Sequence, residues 1–173
     1  MPSSVVLAIL KPEDWSLYRQ LRLAALAESP NAFGSTLELE QSRTAEEWSR
    51  RLSAAASSGG DLPLLALVEN IVSGLAWAKR DSSSPSVVNL FQMWVAPERR
   101  GAGVGSALLR ESIAWAKRLG AESMCLGVTC GDSPAMRLYS RAGFVPFGAT
   151  EPLRPGSALL AQNMRLALRE SAV

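Results

Sequence analysis

Three glycines at alternate positions give this chain its clearest chemical signal. They follow an apolar stretch of strand character (residues 87–95) and precede an amphipathic stretch of helical spacing (residues 103–119). The run reads Arg100-Gly101-Ala102-Gly103-Val104-Gly105. Glycines let backbone N–H groups approach a ligand without hindrance from Cβ atoms, and a helix N-terminus adds unpaired donors and a partial positive charge. The sequence therefore predicts a pyrophosphate-binding turn.

Two common phosphate-binding loops do not match this run. A P-loop requires Gly-Lys-Ser/Thr after its glycines, and the chain contains no such tripeptide. A dinucleotide-binding fingerprint requires G-x-G-x-x-G, but its third glycine falls on Ser106 or on Leu108, depending on which glycine begins it. A dinucleotide-dependent oxidoreductase is therefore disfavoured.

A second segment, residues 132–144, has the signals of a short helix that carries a titratable side chain. Ser133 suits the N-cap, Pro134 the first helical position and Gly143 the residue that ends the helix. Tyr139 lies within it. A phenol with a pKa of about 10 is protonated at neutral pH and can donate a proton to a leaving group.

Together, the two segments resemble the GNAT N-acetyltransferase superfamily. The glycine run matches every fixed position of motif A, Q/R-x-x-G-x-G/A, and residues 132–144 resemble motif B, N-x-x-A-x-x-L-Y-x-x-x-G-F, with Asp132 in place of the asparagine. The resemblance implies an α/β GNAT fold, a mixed central β-sheet with helices on both faces, in a single domain over residues 1–173.

The resemblance also implies the chemistry. An acetyl group would move from acetyl-CoA, as co-substrate, to a primary amine by direct transfer, and Tyr139 would protonate the leaving thiolate. The residues expected to bind the cofactor are Met93, Trp94, Val95, Arg100, Gly101, Ala102, Gly103, Val104, Gly105, Ser106, Asp132 and Arg137. The alternative is a non-catalytic acyl-CoA-binding or sensing domain on the same fold.

The general base is the least defined part of this prediction. The chain contains no histidine, so a base must be another titratable side chain or a bound water. Some members of the family have a glutamate six residues before the valine that leads into motif A, which is Val95 here, and Asn89 occupies that position. A water relay is the expected substitute, with Glu38 or Glu40 as further candidates. Deprotonating a lysine amine at pH 7 costs about 4–5 kcal/mol and an α-amine about 1.4 kcal/mol, so such a site favours amines of low pKa.

The acceptor amine stays open between an amino acid, a small amine and a peptide N-terminus. Residues 33–41, 81–86 and 148–157 are the segments expected to select it. Glu38, Trp77 and Gln92 are the candidate substrate contacts, and Glu38, Glu40 and Glu151 would suit a cationic acceptor.

Composition limits the remaining possibilities. The chain has 173 residues, 47% hydrophobic and 20% charged, with a net charge of +2, which predicts one globular domain and gives no support for a nucleic-acid partner. No apolar run reaches the roughly 18 residues of a membrane span, so we expect a cytoplasmic protein without a membrane partner. Two cysteines without histidine lead us to expect no metal site. The resemblance allows a homodimer.

Hydrophobic periodicity predicts the elements that position these residues. Strands are expected at residues 5–10, 64–69, 71–79, 87–95, 123–129 and 158–168, and helices at residues 12–27, 45–56, 103–119 and 134–142. A capping box should begin the second helix at Thr44, and a tight hairpin turn is expected at Glu69-Asn70.

Overall fold

A mixed β-sheet runs through the protein. The computed structural model describes residues 3–169. The strands are β1 (Val5–Ile9), β2 (Asp61–Val68), β3 (Ile71–Arg80), β4 (Val87–Val95), β5 (Ser123–Thr129), β6 (Val145–Pro146), β7 (Glu151–Pro152) and β8 (Leu160–Ala167). They are ordered β1-β2-β3-β4-β5-β8-β6, with β7 also paired to β8. The β4–β5 pair is parallel, whereas the other pairs are antiparallel.

Helices cover both faces of this sheet, as the sequence predicts. They are α1 (Trp15–Glu28), α2 (Leu37–Gln41), α3 (Ala45–Ser58), α4 (Val104–Arg118) and α5 (Pro134–Arg141). One core cluster joins α4 and α5 to the sheet, and a second joins α1 and α3 to the opposite face. Alternation along the strands divides β2 between the clusters, since Leu64 and Ala66 face α4 while Leu65 faces α1 and α3.

Local signals in the sequence specify several element ends. The Thr44 hydroxyl accepts a hydrogen bond from the Glu47 backbone N–H, and the Glu47 carboxylate accepts one from the Thr44 N–H, so the predicted capping box is confirmed. Glu69 and Asn70 both have positive φ, 52° and 63°, as a tight hairpin turn between β2 and β3 requires. Ser133 caps α5 by accepting from the Met136 N–H.

The differences from the predicted elements lie in short segments. Helix α2 has five residues and strands β6 and β7 have two each, and none of the three was predicted. Segments of that length are too short to show a period of hydrophobic residues. Element ends also differ: β8 begins two residues later than predicted, at Leu160, β2 begins three residues earlier, at Asp61, and α1 begins three residues later, at Trp15.

Candidate active site

A cleft opens because β4 and β5 pair over only three residues. Val87 pairs with Ser123, Val88 with Met124 and Asn89 with Cys125, and no further pairs follow. Beyond this point β4 also bulges: Leu75 pairs with Trp94 and Trp77 with Phe91, so a step of two residues along β3 is opposite a step of three along β4. Gln92 lies in the bulge with a φ of 58°. The resulting cleft has a volume of about 730 Å³ and includes Gln92, Met93 and Tyr139 in its wall.

The glycine run forms the turn from β4 into α4. Gly101 and Gly103 have φ values of 81° and 84°, and a Cβ atom at either position would have no atom within 4 Å. Glycine suits both positions because the backbone has positive φ there, and the space beside each glycine is open. Gly103 is the N-cap of α4, so the N–H groups of the first helical turn, at Val104, Gly105 and Ser106, have no acceptor within the helix.

Gly105 has a different role from the first two glycines. A Cβ atom at this position would lie 3.2 Å from Leu138 Cδ2 of α5 and 3.6 Å from Val95 Cγ2. The third glycine therefore lets α4 approach α5, which carries Tyr139. The two segments singled out in the sequence, motif A and motif B, meet at this contact.

Tyr139 is the titratable group on the α5 side of the cleft. Its side chain is 6% exposed, and its ring meets that of Phe144 edge-on at 5.9 Å. Burial raises the pKa of Tyr139 above its usual range, because an ionised phenolate would lose its hydration. The phenol is therefore protonated at neutral pH, as a proton donor to a thiolate must be.

The side chains of four predicted cofactor residues form hydrogen bonds within the protein. The Arg100 guanidinium donates to the Val95 carbonyl at 3.1 Å and to Glu28 Oε2 at 2.8 Å, and the Trp94 indole donates to the same Glu28 oxygen at 2.9 Å. Arg137 donates to Asp132 Oδ1 at 2.6 Å. These bonds occupy the Trp94 indole N–H and part of each guanidinium, and Met93 lies in the cleft wall.

Glu28, at the end of α1, forms an ion pair with Arg100, the residue that begins the glycine run. The Arg100 guanidinium lowers the pKa of Glu28 to about 2, with further hydrogen bonds from Ser29 and Trp94. Arg100 is exposed on its outer side, so this ion pair is only partly shielded from solvent. The pair connects the turn before α4 to the C-terminal end of the helix that lines the other side of the cleft.

The opposite side of the cleft is lined by side chains from α1, α2, α3 and β3. Tyr18 is fully buried and its hydroxyl donates to Gln92 Oε1 at 2.8 Å, which fixes the side chain at the bulge. Trp77 lines the cleft and donates to Asp61 Oδ1 at 2.8 Å. Of the three candidate substrate contacts, Trp77 and Gln92 lie in the cleft wall, whereas Glu38 is exposed and is not part of that wall.

Both carboxylates in the cleft wall are already hydrogen-bonded. Glu40 is 4% exposed; its Oε1 accepts from Ser35 at 2.8 Å, and its Oε2 accepts from Arg43 and Arg51, each at 3.0 Å. Burial opposes ionisation, but these bonds outweigh it and lower the pKa of Glu40. Asp61 accepts from Trp77 and from Ser58.

Asn89, at the position where some relatives have a glutamate, does not lie in the cleft wall. Its amide donates to Asp81 Oδ2 at 2.9 Å. Hydrogen bonds from Ser83 and from Asn89 lower the pKa of Asp81 to about 2, so this neighbouring carboxylate is a weak base at neutral pH.

Arg22 is one of the cleft residues that the sequence analysis missed, together with Tyr18, Arg51 and Asp61. Arg22 lies on α1, 5% exposed, with its guanidinium carbon 4.6 Å from the centroid of the Phe33 ring. Burial lowers the pKa of Arg22, although a guanidinium keeps its charge in proteins. The signal was its spacing: Arg22 stands four residues after Tyr18 and four before Leu26, both buried, so the arginine falls on the buried stripe of the helix.

Comparison with known proteins agrees with this architecture. Residues 23–144 match the model of the acetyltransferase (GNAT) family. A mycothiol acetyltransferase from Pseudarthrobacter chlorophenolicus is 29% identical over 150 residues, which are 83% of this chain and 43% of that protein. A streptothricin acetyltransferase from Streptomyces lavendulae is 32% identical over 119 residues, which are 69% of this chain and 57% of that protein. The chain thus spans about half the length of these curated relatives.

Solved structures share the fold at lower sequence identity. A GNAT-family acetyltransferase from Streptococcus pneumoniae superposes with a TM-score of 0.78 at 24% identity, over 95% of this chain and 99% of that chain. A spermidine N-acetyltransferase from Vibrio cholerae, solved with CoA and spermine, gives 0.76 at 16% identity, over 95% of both chains. A Salmonella typhimurium structure that contains its cofactor acetyl-CoA gives 0.79 at 21% identity, over 99% and 98%.

The matched family model and the shared fold therefore identify a recognised class of protein. The chain is a member of the GNAT acetyltransferase family, whose enzymes are acyltransferases that use acetyl-CoA. The resemblance predicted from the two motifs is confirmed.

Two further features are absent from the residues that the structure describes. From residue 3 to residue 169, none of the helices combines the length and apolar character that crossing a membrane requires. The same residues contain no group of three or more cysteine, aspartate and glutamate side chains placed to hold a metal ion.

Proposed function

We propose that this protein transfers an acetyl group from acetyl-CoA to a primary amine by direct attack within the cleft. The observation that carries the proposal is that three parts lie close together: the glycine turn at the start of α4, whose Gly105 packs against Leu138 of α5; the bulge of β4 at Gln92; and the buried, protonated Tyr139 of α5, which shares a cleft wall with Gln92. These parts correspond to pyrophosphate binding, thioester binding and proton donation.

The cofactor is expected along the main chain of this turn. The free N–H groups of Val104, Gly105 and Ser106, with Gly101, Ala102 and Gly103 before them, suit the pyrophosphate, and the backbone of Met93 and Val95 suits the pantetheine arm. The open space beside Gly101 and Gly103 supports this assignment, since a Cβ at either position would meet nothing in the protein itself.

The reaction balances without a covalent enzyme intermediate. The neutral amine forms a C–N bond with the acetyl carbon, and the C–S bond to CoA breaks. Tyr139 donates its proton to the thiolate and regains one that the amine loses, so that the products are the amide and the CoA thiol. Main-chain N–H groups beside the bulge would stabilise the negative charge that develops on the carbonyl oxygen.

The test is CoA release from acetyl-CoA with a panel of primary amines, with products identified by mass spectrometry. We expect Tyr139→Phe to lower kcat by about 100-fold or more, because a positioned proton donor contributes about that much, while the Kd for acetyl-CoA stays within about twofold. Equal turnover by the variant would contradict the role of Tyr139.

A non-catalytic acyl-CoA-binding domain is the second candidate. The observation in its favour is that both carboxylates in the cleft wall, Glu40 and Asp61, are engaged in hydrogen bonds, and that Asn89 stands at the glutamate position of some relatives. Tight acetyl-CoA binding without an acetylated product from any amine of the panel would favour this candidate over the enzyme.

A further inference from the structure

One arginine in the wall of the cleft, Arg22, has no ionic partner among residues 3–169. Arg22 is 5% exposed, and within residues 3–169 its Nε and Nη1 atoms are enclosed without any hydrogen-bond partner. Isolated charges are costly to bury, and buried guanidinium groups in native proteins are generally paired. The contact with the Phe33 ring, at 4.6 Å, compensates only part of that cost.

The carboxylates nearby are not available to Arg22. Glu40 is the acidic side chain whose charge acts on the arginine, but Ser35 occupies its Oε1, and Arg43 and Arg51 share its Oε2. One negative charge is thus already shared between two other guanidinium groups.

Positive charge exceeds negative charge in the wall of the cleft as a whole. The cations there are Arg22, Arg51 and Lys79, whereas the anions are Glu40 and Asp61. Lys79 lies 3.8 Å from Asp61, and Arg51 lies 3.0 Å from Glu40, so each carboxylate has a cationic neighbour. The excess positive charge is therefore that of Arg22. An anionic group of the ligand would supply the charge that the protein lacks at this place.

We propose that Arg22 is a specificity-determining residue that binds a carboxylate of the acceptor, so that the substrates are amines that carry a carboxylate. This inference rests on the proposed acetyltransferase function. A guanidinium presents donors in a plane that matches the two oxygens of a carboxylate. Tyr139 and Arg22 line the same cleft, so an acceptor bound at Arg22 lies in the cleft that contains the proposed proton donor.

This assignment reverses the expectation that glutamates would attract a cationic acceptor. Glu40 is neutralised by its two arginines, Glu38 and Glu151 are exposed, and neither of those two is in the cleft wall. A second ammonium group on the acceptor would instead approach the unpaired charge of Arg22. We therefore expect polyamines to be poor substrates.

Matched pairs of acceptors test the proposal. Each pair consists of an amino acid and its carboxamide, drawn from the common L-α-amino acids, β-alanine and 4-aminobutyrate, assayed as acetylated product. For the best pair we expect the carboxylate form to have the higher kcat/KM by about 10- to 100-fold, the range for a hydrogen bond to a charged group. Equal kcat/KM values for both members of every pair would overturn the proposal.

Arg22→Met is the decisive variant. It should bring the ratio of kcat/KM within the best pair to near one, mainly through the KM of the carboxylate form, and leave the Kd for acetyl-CoA unchanged. Replacing an unpaired buried cation by an apolar side chain of similar length should not lower the melting temperature. Arg22→Lys keeps the charge without the planar donors and should lose part of the ratio.

Arg19→Met is the matched control on the same helix. Arg19 is half-buried and is not part of the cleft wall, so its loss should leave the ratio unchanged. An equal loss of the ratio in Arg19→Met would show that general charge, and not the position of Arg22, gives the preference. That result would overturn the proposal.

Failure of the enzyme and failure of the carboxylate site can be distinguished. If no amine is acetylated, the proposed function fails, and calorimetric titration of the same acceptor pairs into the protein with CoA still tests Arg22. Binding of the carboxylate forms that Arg22→Met abolishes would support the site, and equal affinity for both forms would overturn it. An Arg22-dependent preference for O-phosphoethanolamine over ethanolamine, without one for carboxylates, would assign a phosphate instead.

Discussion

The two sides of the proposed active site are built in different ways. The proposed cofactor side, residues 100–106, lies outside the cleft wall and presents main-chain N–H groups at the start of α4, and its first two glycines have positive φ. The acceptor side, made by Tyr18, Arg22, Glu40, Arg51 and Trp77, presents side chains from three helices and a strand. The cofactor side therefore depends on backbone conformation, and the acceptor side depends on which side chains the fold brings together.

This difference shows why membership of a family identifies the cofactor more readily than the acceptor. A contiguous backbone turn can bind the same pyrophosphate in any chain that forms it. The acceptor side changes whenever one side chain is replaced, and two relatives are named for different compounds, mycothiol and streptothricin.

The largest effect expected from this difference concerns turnover, which should depend strongly on pH. Because both carboxylates of the cleft wall, Glu40 and Asp61, are hydrogen-bonded, the amine has to lose its proton without a strong base. We expect kcat/KM to rise about tenfold per pH unit, or about 100-fold from pH 6 to pH 8, for an acceptor with an amine pKa above 8. Tyr139 stays protonated throughout this range because burial raises its pKa.

Two acceptors with different amine pKa values provide the control for this experiment. Each profile should level off near the pKa of its own amine, and the acceptor of lower pKa should be the faster at pH 7 if both bind alike. A plateau at one common pH for both acceptors would show that a group of the protein acts as the base.

The same difference explains how much of the site the sequence could predict. The glycine turn and the α5 segment could be predicted because their residues are consecutive, and because Gly103 and Ser133 act on the neighbouring backbone. Arg22 could not be assigned in the same way, because its environment comes from Phe33 and from the buried Glu40, which follow it by 11 and 18 residues. Sequence spacing placed Arg22 on a helix but gave no information about the cleft.

Gly74 is a second residue whose role only the packing reveals, and it provides the next prediction. A Cβ atom at this position of β3 would lie 2.9 Å from the Trp94 carbonyl oxygen and 2.9 Å from Val104 Cγ1 in the first turn of α4. Gly74→Ala should lower the free energy of unfolding by about 1–3 kcal/mol. It should also raise the Kd for acetyl-CoA several-fold, since the start of α4 has to move.

Gly60→Ala is the matched control, because its new Cβ would meet Arg80 Cβ at an ordinary distance of 3.4 Å. Urea unfolding and calorimetry measure the two quantities for both variants. A Gly74→Ala variant that loses stability but keeps its affinity for acetyl-CoA would show that the start of α4 is not the binding surface for the cofactor.

The smallest expected effect concerns the ion pair that joins the two sides. Glu28, at the end of the helix that carries Tyr18 and Arg22, accepts hydrogen bonds from Arg100 and Trp94 through one oxygen. Glu28→Gln keeps the size of the side chain and removes its charge. We expect a loss of about 0.5–1 kcal/mol in the free energy of unfolding at pH 7, because a partly exposed pair is screened by solvent.

The pH dependence identifies the charge as the cause of this loss. The pKa of Glu28 is lowered from 4.5 to about 2 in the folded protein, so its stabilising contribution is complete above about pH 4.5 and disappears as the pH falls toward 2. The difference between wild type and Glu28→Gln should therefore shrink over that interval. Glu46→Gln, which breaks the highly exposed pair with Arg50, should show almost no difference at any pH. If the difference for Glu28→Gln instead persists unchanged at low pH, the hydrogen-bond geometry of the side chain, and not its charge, connects the glycine turn to α1.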